Sequence, residues 1–435
     1  MKRSNCLAVV SNHWMNRVTI GSLLLGFILP SAAGLAEDEV SPPSSAAVSP
    51  PSSAAVSPPG PSAAQPGGSQ VLAPLGVTPL LSHEGPLAQW GVVSVRPHLF
   101  YRLLYGDGIQ ASLGQPETTA IQELSPGILL GLGTHWNLDY TPSWTVYSNR
   151  AFRNTLDHSA SLTGGAGYGD WHFGFSQSYV SDNPVLVETG QQTRQDLYAT
   201  SLTASGHIGP RTLLDLAVSQ NVRFADGFAG FREWSTSDFL HYQITSRLDA
   251  GIGSEFGYVN MDVGPNMTYV RPEGRITWKP ADKIAFTVQG GNERRTFDSG
   301  GTGAMTSPVY SASVQYLPVE TTTLNFGVNR DLSASYFADE ITKSQSWSAS
   351  LQQRLLQEFY FNAAFSQGKT TYAATRSGLG VGRDDRNYAV TVRLSTTFLR
   401  RGSVAILYQL SHNSSNSSVY AFSSRQVGLE LGYSF

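Results

Sequence analysis

The chain has 435 residues, of which 14% are charged and 11% aromatic, with 43 glycines and a formal net charge of −3. A soluble protein of ordinary composition carries about 25% charged residues. Past position 30, however, no run of 18 apolar residues appears, which excludes helical membrane spans, and the balance of charge points to no nucleic-acid partner.

The first segment reads as an export signal, residues 1–36. Lys2, Arg3 and Arg17 precede an apolar stretch from Val18 to Leu29, and small residues run from Ser31 to Ala36 ahead of Glu37. That order is a basic region, an apolar region and a cleavage zone. The single cysteine, Cys6, lies ahead of the apolar stretch, so a chain cut after Ala36 or Ala33 has no thiol for disulfides or cysteine chemistry. Cleavage also removes three of the 29 basic residues, leaving 26 against 32 acidic and a net charge of −6.

Residues 37–91 are expected to be a periplasmic linker. The octet from Val40 to Ala47 recurs at 48–55; its Pro-Pro pairs hold an extended backbone, and its serines and alanines offer nothing to bury. Such a segment serves as a disordered tail, a spacer or a tether to cell wall or export machinery.

From residue 92 to 435 the pattern is that of strands. Trp136, Leu138, Tyr140 and Trp144 alternate with Asn137, Asp139, Thr141 and Ser143; Leu240, Tyr242 and Ile244 alternate with His241, Gln243 and Thr245. Phe359, Phe361 and Phe365 oppose Tyr360, Asn362 and Ser366, and Tyr388, Val390, Val392 and Leu394 oppose Ala389, Thr391, Arg393 and Ser395. In Val404–Ser411 the same alternation holds except that Leu407 breaks the polar face. At the end, Val427, Leu429, Leu431, Tyr433 and Phe435 share one face. Period-2 alternation gives each strand an apolar and a polar side, and a closing last strand leaves no edge to aggregate.

Short turns are expected near 133–135, 169–170, 209–211, 248–249, 280–283, 318–321, 357–358 and 400–402. Longer loops are expected at 106–117, 150–157, 181–193, 225–235, 262–266, 298–306, 334–344, 372–386 and 414–422. The fold class is therefore all-β, a closed antiparallel transmembrane β-barrel of about 18 strands (16–18), with turns periplasmic and loops outside. An even count returns both ends to one side. Aromatics near strand ends, Tyr101, Tyr105, Trp136, Trp144, Trp171, Trp278, Trp347, Tyr433 and Phe435, fit interfacial girdles as well as plain β-propensity.

With Pro97 and Tyr101, then Leu124-Ser125-Pro126-Gly127-Ile128, then Leu138-Asp139-Tyr140-Thr141-Pro142 with Tyr147, the region 92–435 resembles the β-barrel porin 2 family of bacterial outer membranes. The ending Gly432-Tyr433-Ser434-Phe435 looks like the signal read by the barrel-assembly machinery. The resemblance implies an outer-membrane barrel and, for some members, an association with exopolysaccharide export; it implies no substrate, and the Pro-rich linker and residues 70–91 lie outside it.

No chemistry of catalysis, cofactor or metal stands out. The nine histidines lack ligand spacing, and Gly164-Gly165-Ala166-Gly167 has no following helix to hold a phosphate. Ser411-His412 are neighbours on a strand and so face opposite ways, unsuited to a lipase pair. Loop acids such as Asp226, Glu233, Asp384 and Asp385 serve solvation as well as a protease would. No enzyme is expected.

The alternation places Arg96, Arg102, Arg247, Arg271, Arg275, Arg354 and Arg393 inside, with Glu123, Asp139, Glu255 and Glu430, and also His98, Asp215 and Glu273. Arginine outnumbers lysine 24 to 5, and its rigid fork suits carboxylate networks in a wall. These residues form either a charged constriction or a merely wet lining. The expected function is a passive channel for small solutes, with no strong preference between anions and cations. The alternatives are an exopolysaccharide duct, with Tyr147 and Tyr360 stacking on sugars, or a closed barrel working through its outer loops. The expected partners are outer-membrane lipid and the assembly machinery.

Overall fold

A computed structural model describes residues 87–298, 303–376 and 382–435. The expected signal peptide, and the linker as far as residue 86, lie outside the described residues. Eighteen antiparallel strands close on themselves. The first six are β1 (Val93–Ser112), β2 (Gln115–Leu132), β3 (Trp136–Tyr147), β4 (Thr155–Tyr168), β5 (Trp171–Asp182) and β6 (Gln195–Gly209). Next come β7 (Thr212–Ala225), β8 (Phe231–Thr245), β9 (Leu248–Met261), β10 (Met267–Ala281), β11 (Ile284–Phe297) and β12 (Ala304–Tyr316). The last six are β13 (Thr322–Ala334), β14 (Glu340–Leu355), β15 (Phe359–Ala374), β16 (Asp384–Phe398), β17 (Gly402–Ser415) and β18 (Phe422–Ser434). Each pairs with the next, and β18 pairs with β1 from His98↔Ser434 to Asp107↔Arg425. The Phe435 amide donates to the Pro97 carbonyl at 2.9 Å, completing the seam.

Alternation decides the faces. Leu99, Leu103 and Tyr105 of β1, Val427, Leu429 and Leu431 of β18, and Ile252, Phe256 and Tyr258 of β9 are exposed on the outside. Such a large apolar outer surface is stable only against lipid. Aromatic pairs mark the turn side of this belt, with ring centroids 5.4 Å apart for Trp278–Phe286 and 4.8 Å for Tyr433–Phe435. Trp347, expected near a strand end, sits in the middle of β14.

Several boundaries differ from the sequence reading. Ala88–Trp90, expected in the linker, forms a short strand on Val93–Val95. The turn expected at Leu248-Asp249 lies at 246–247, because Leu248 already pairs with Thr245 and Trp278. The loop expected at 106–117 is instead strand, interrupted by a bulge and turned at Leu113-Gly114. Gly108, at φ +72°, permits that bulge: a Cβ there would lie 1.9 Å from the Ser423 carbonyl oxygen. Most other loops are shorter than expected, since paired strands continue beyond the apolar belt.

One wall is incomplete. β12 and β13 pair only between Tyr316↔Leu324 and Tyr310↔Arg330, while β13 and β14 stay paired up to Ala334↔Ile341. Pro308 stands where the ladder stops; it has no N–H to donate and is tolerated at an edge. The free end of the β13–β14 hairpin folds into the barrel. There Leu332, Ala334 and Ile341 pack with Phe231, Val259, Met267, Phe297 and Val309 of the inner wall.

Candidate functional site: a roofed chamber in the lumen

The inner wall carries two ion-pair ladders. On the first, Arg102 reaches Glu123 at 3.2 Å and Glu430 at 3.0 Å, and Arg393 reaches the other oxygen of Glu430 at 2.8 Å. The register explains the grouping, since Arg102 stands opposite both Glu123 and Glu430. Two guanidiniums meet two carboxylates, so this ladder is neutral. On the second, Arg271 pairs with Glu255 at 3.1 Å and Glu293 at 2.5 Å, and Arg295 pairs with Glu293 at 2.7 Å. The Tyr269 hydroxyl lies 2.9 Å from Glu233 and 3.0 Å from Glu255. Arginine's planar fork allows each to hold two partners.

The remaining expected lumen residues are dispersed. Arg275 donates to Gln289 at 2.9 Å and lies 3.9 Å over the Phe239 ring. Asp139 accepts from Thr141 at 2.9 Å, and Thr141 is 3.0 Å from His98. Arg96 has an Nε with no hydrogen-bond partner among the described residues. Arg354 donates to the Gln357 carbonyl at 2.8 Å at the turn-side rim. Arg247 is a correction: it sits in the turn, exposed, donating to the Pro280 carbonyl at 2.8 Å. With the turn at 246–247, Arg247 belongs to neither strand face.

Over the loop side lies a roof that single-strand periodicity does not reveal. The β5–β6 loop, 183–194, folds inward and buries Leu186, Val187, Glu188 and Thr189. Glu188 accepts from the Ser335 hydroxyl at 2.6 Å and the Tyr336 amide at 2.7 Å, which ties this loop to the tip of the β13–β14 hairpin. Arg223, fully buried, donates to the Ser335 carbonyl at 2.6 Å. It also lies 3.7 Å from the Tyr336 ring centroid. Arg383 donates to the Glu188 carbonyl at 2.7 Å. Burial pushes the Glu188 carboxyl above its ordinary range, against the pull of Arg223 and Arg383. Burial likewise pushes the Tyr336 hydroxyl up to about 12.

Beneath the loop is a cavity of about 210 Å³ between the inner faces of β1–β3 and β15–β18. Ile121, Tyr147, Val185 and Val187 supply its apolar lining, and Gln110, Asn387, Thr391, Gln409, Ser411 and Gln426 its polar one. The Gly108 bulge lets the adjacent Ile109 and Gln110 both be buried, at 7% and 2% exposure, and both line the cavity. Gly106 leaves the room that Ile109 and Gln426 fill, since a Cβ would lie 2.6 Å from the one and 2.9 Å from the other. Farther toward the turns on the same strands, Arg102, Glu123, Arg393 and Glu430 form the floor. No lining residue of the cavity is Asp, Glu, Lys or Arg. Gln110 was missed because its segment reads as a polar loop; the Gly106-Asp107-Gly108 spacing was the available signal for a bulge.

No family model matches the chain, and no curated protein matches it. Among solved structures, Pseudomonas aeruginosa OpdL matches with a TM-score of 0.43 at 15% identity, covering 79% of this chain and 98% of that one. P. aeruginosa OccK2 (OpdF) in complex with glucuronate matches with a TM-score of 0.44 at 12% identity, covering 78% and 98%. P. aeruginosa OpdK with vanillate matches with a TM-score of 0.43 at 12% identity, covering 78% and 99%.

Proposed function

We propose that this barrel is a porin-like channel of the bacterial outer membrane through which small solutes diffuse passively. The observation that carries the reading is a closed eighteen-strand ladder, apolar outside and polar inside. A cylinder of that size leaves an aqueous lumen. The mechanism needs no covalent step: the roof sets the size limit, and the paired arginines keep the wall wet without presenting a strong field. In this reading the short turns face the periplasm, the linker extends there, and the last strand is handled by the barrel-assembly machinery.

The inward-folded roof favours a narrow route over a wide polysaccharide duct, and it also favours the alternative of a shut barrel acting through its loops. Planar-bilayer recording separates these. Discrete single-channel steps with a potassium-to-chloride permeability ratio near one are expected. Absence of any step from correctly folded protein would retire the channel and leave the shut barrel.

A further inference from the structure

Resting on the channel reading and deepening it, we propose that the roofed chamber is a binding site for a small, neutral, polyhydroxylated solute of about monosaccharide size. Three features of the chamber define that chemistry. Its polar lining is mainly carboxamides and hydroxyls, Gln110, Asn387, Gln409 and Gln426 among them, with one imidazole, His412. A carboxamide both donates and accepts, as a sugar hydroxyl does, so each can serve a hydroxyl in either sense.

The second feature is an unmet bond. Gln110 is 2% exposed; its amide nitrogen donates to the Val419 carbonyl at 2.8 Å, while its carbonyl oxygen has no partner among the described residues. A buried acceptor left unmet costs about 1–3 kcal/mol; this oxygen is closed to water, so a turn of the Gln110 carboxamide toward a solute hydroxyl in the chamber is the movement that would remove that cost. The bulge at Gly108 exists in this strand at the point where it turns Gln110 inward together with Ile109.

The third feature is the absence of charge. No lining residue is Asp, Glu, Lys or Arg, and the floor charges are paired with each other at 2.8–3.2 Å. An ionic solute would lose hydration and gain no counter-ion. A purely apolar solute would leave the carboxamides unpaired, the kind of mismatch that recognition sites reject most strongly. The volume of about 210 Å³ equals roughly seven water molecules at ~30 Å³ each, and Tyr147 and Ile121 offer apolar surface for ring carbons.

The test is isothermal titration of the detergent-solubilised, full-length barrel with D-glucose, D-glucuronate and D-glucosamine. Saturable binding of glucose is expected, with both charged analogues at least about tenfold weaker. Gln110→Leu and Gln409→Leu should each weaken glucose by about tenfold, one buried hydrogen bond's worth. Gln409→Leu leaves the Gln110–Val419 bond in place, and retained heat-modifiable gel migration verifies folding of both. The proposal is overturned by no saturation with glucose, by equal affinity for a charged analogue, or by wild-type affinity in both variants. Conductance of the same preparation tests the channel separately, so binding without current would keep the site and remove the channel.

Discussion

Gly108 shows how one residue can decide the position of a site. Its left-handed φ and the carbonyl of Ser423 beside it leave no room for a side chain. Gly108→Ala is therefore expected to destabilise the barrel by about 2 kcal/mol or more and to abolish glucose binding; a urea midpoint equal to wild type would show that the bulge is dispensable. The opposite change is available at the turns. Leu399 and Arg400 have φ of 49° and 60°, the left-handed region that Asn and Gly enter at least cost. Leu399→Asn with Arg400→Gly should stabilise by about 1 kcal/mol, read from the same urea midpoints. Arg102 is the central residue of the floor. Arg102→Met strips Glu123 of its guanidinium and should cost about 3 kcal/mol, with potassium favoured over chloride in reversal-potential measurements.

At the scale of elements, the β13–β14 hairpin carries the strongest consequence of local chemistry. Pro308 interrupts the ladder, the hairpin is freed from β12, and its outward apolar side chains find cover only against the inner wall. Ile341 is 0% exposed in that seat. Ile341→Asp buries an unpaired charge there, so the hairpin should leave its seat and single-channel conductance should rise; unchanged step size would mean that the hairpin does not restrict the route. The Glu188 contact adds a pH dependence. Its carboxyl is raised when the roof is closed, by burial, and returns to its ordinary range when the roof opens. The closed form thus binds the extra proton and is favoured at low pH, and its advantage is lost as pH rises above the ordinary glutamate range. Conductance should increase over that interval in wild type and stay flat in Glu188→Gln. A decrease with rising pH would contradict the assignment.

For the whole molecule, closure is the governing fact. The β18–β1 seam ends at the hydrogen bond from Phe435 to Pro97, and both partners come from opposite ends of the strand region. The strand faces were legible in the sequence because the period-2 signal is repeated on nearly every strand, so even the broken face at Leu407 did not mislead: it points inward, 3% exposed. The placement of Arg102, Glu123, Arg393 and Glu430 on one face was legible for the same reason. That they meet was not, because partners 328 positions apart, such as Arg102 and Glu430, are joined only by closure.

Taken alone, the amino-acid order determined which side chains face lipid and which face the lumen, since that depends only on the alternation of neighbours along an extended chain. Tertiary structure decided everything that depends on a strand leaving the regular lattice: the bulge that buries Gln110, the hairpin that folds inward, and the loop pinned through Glu188. Each of these is set by contacts between distant segments, which no local period encodes.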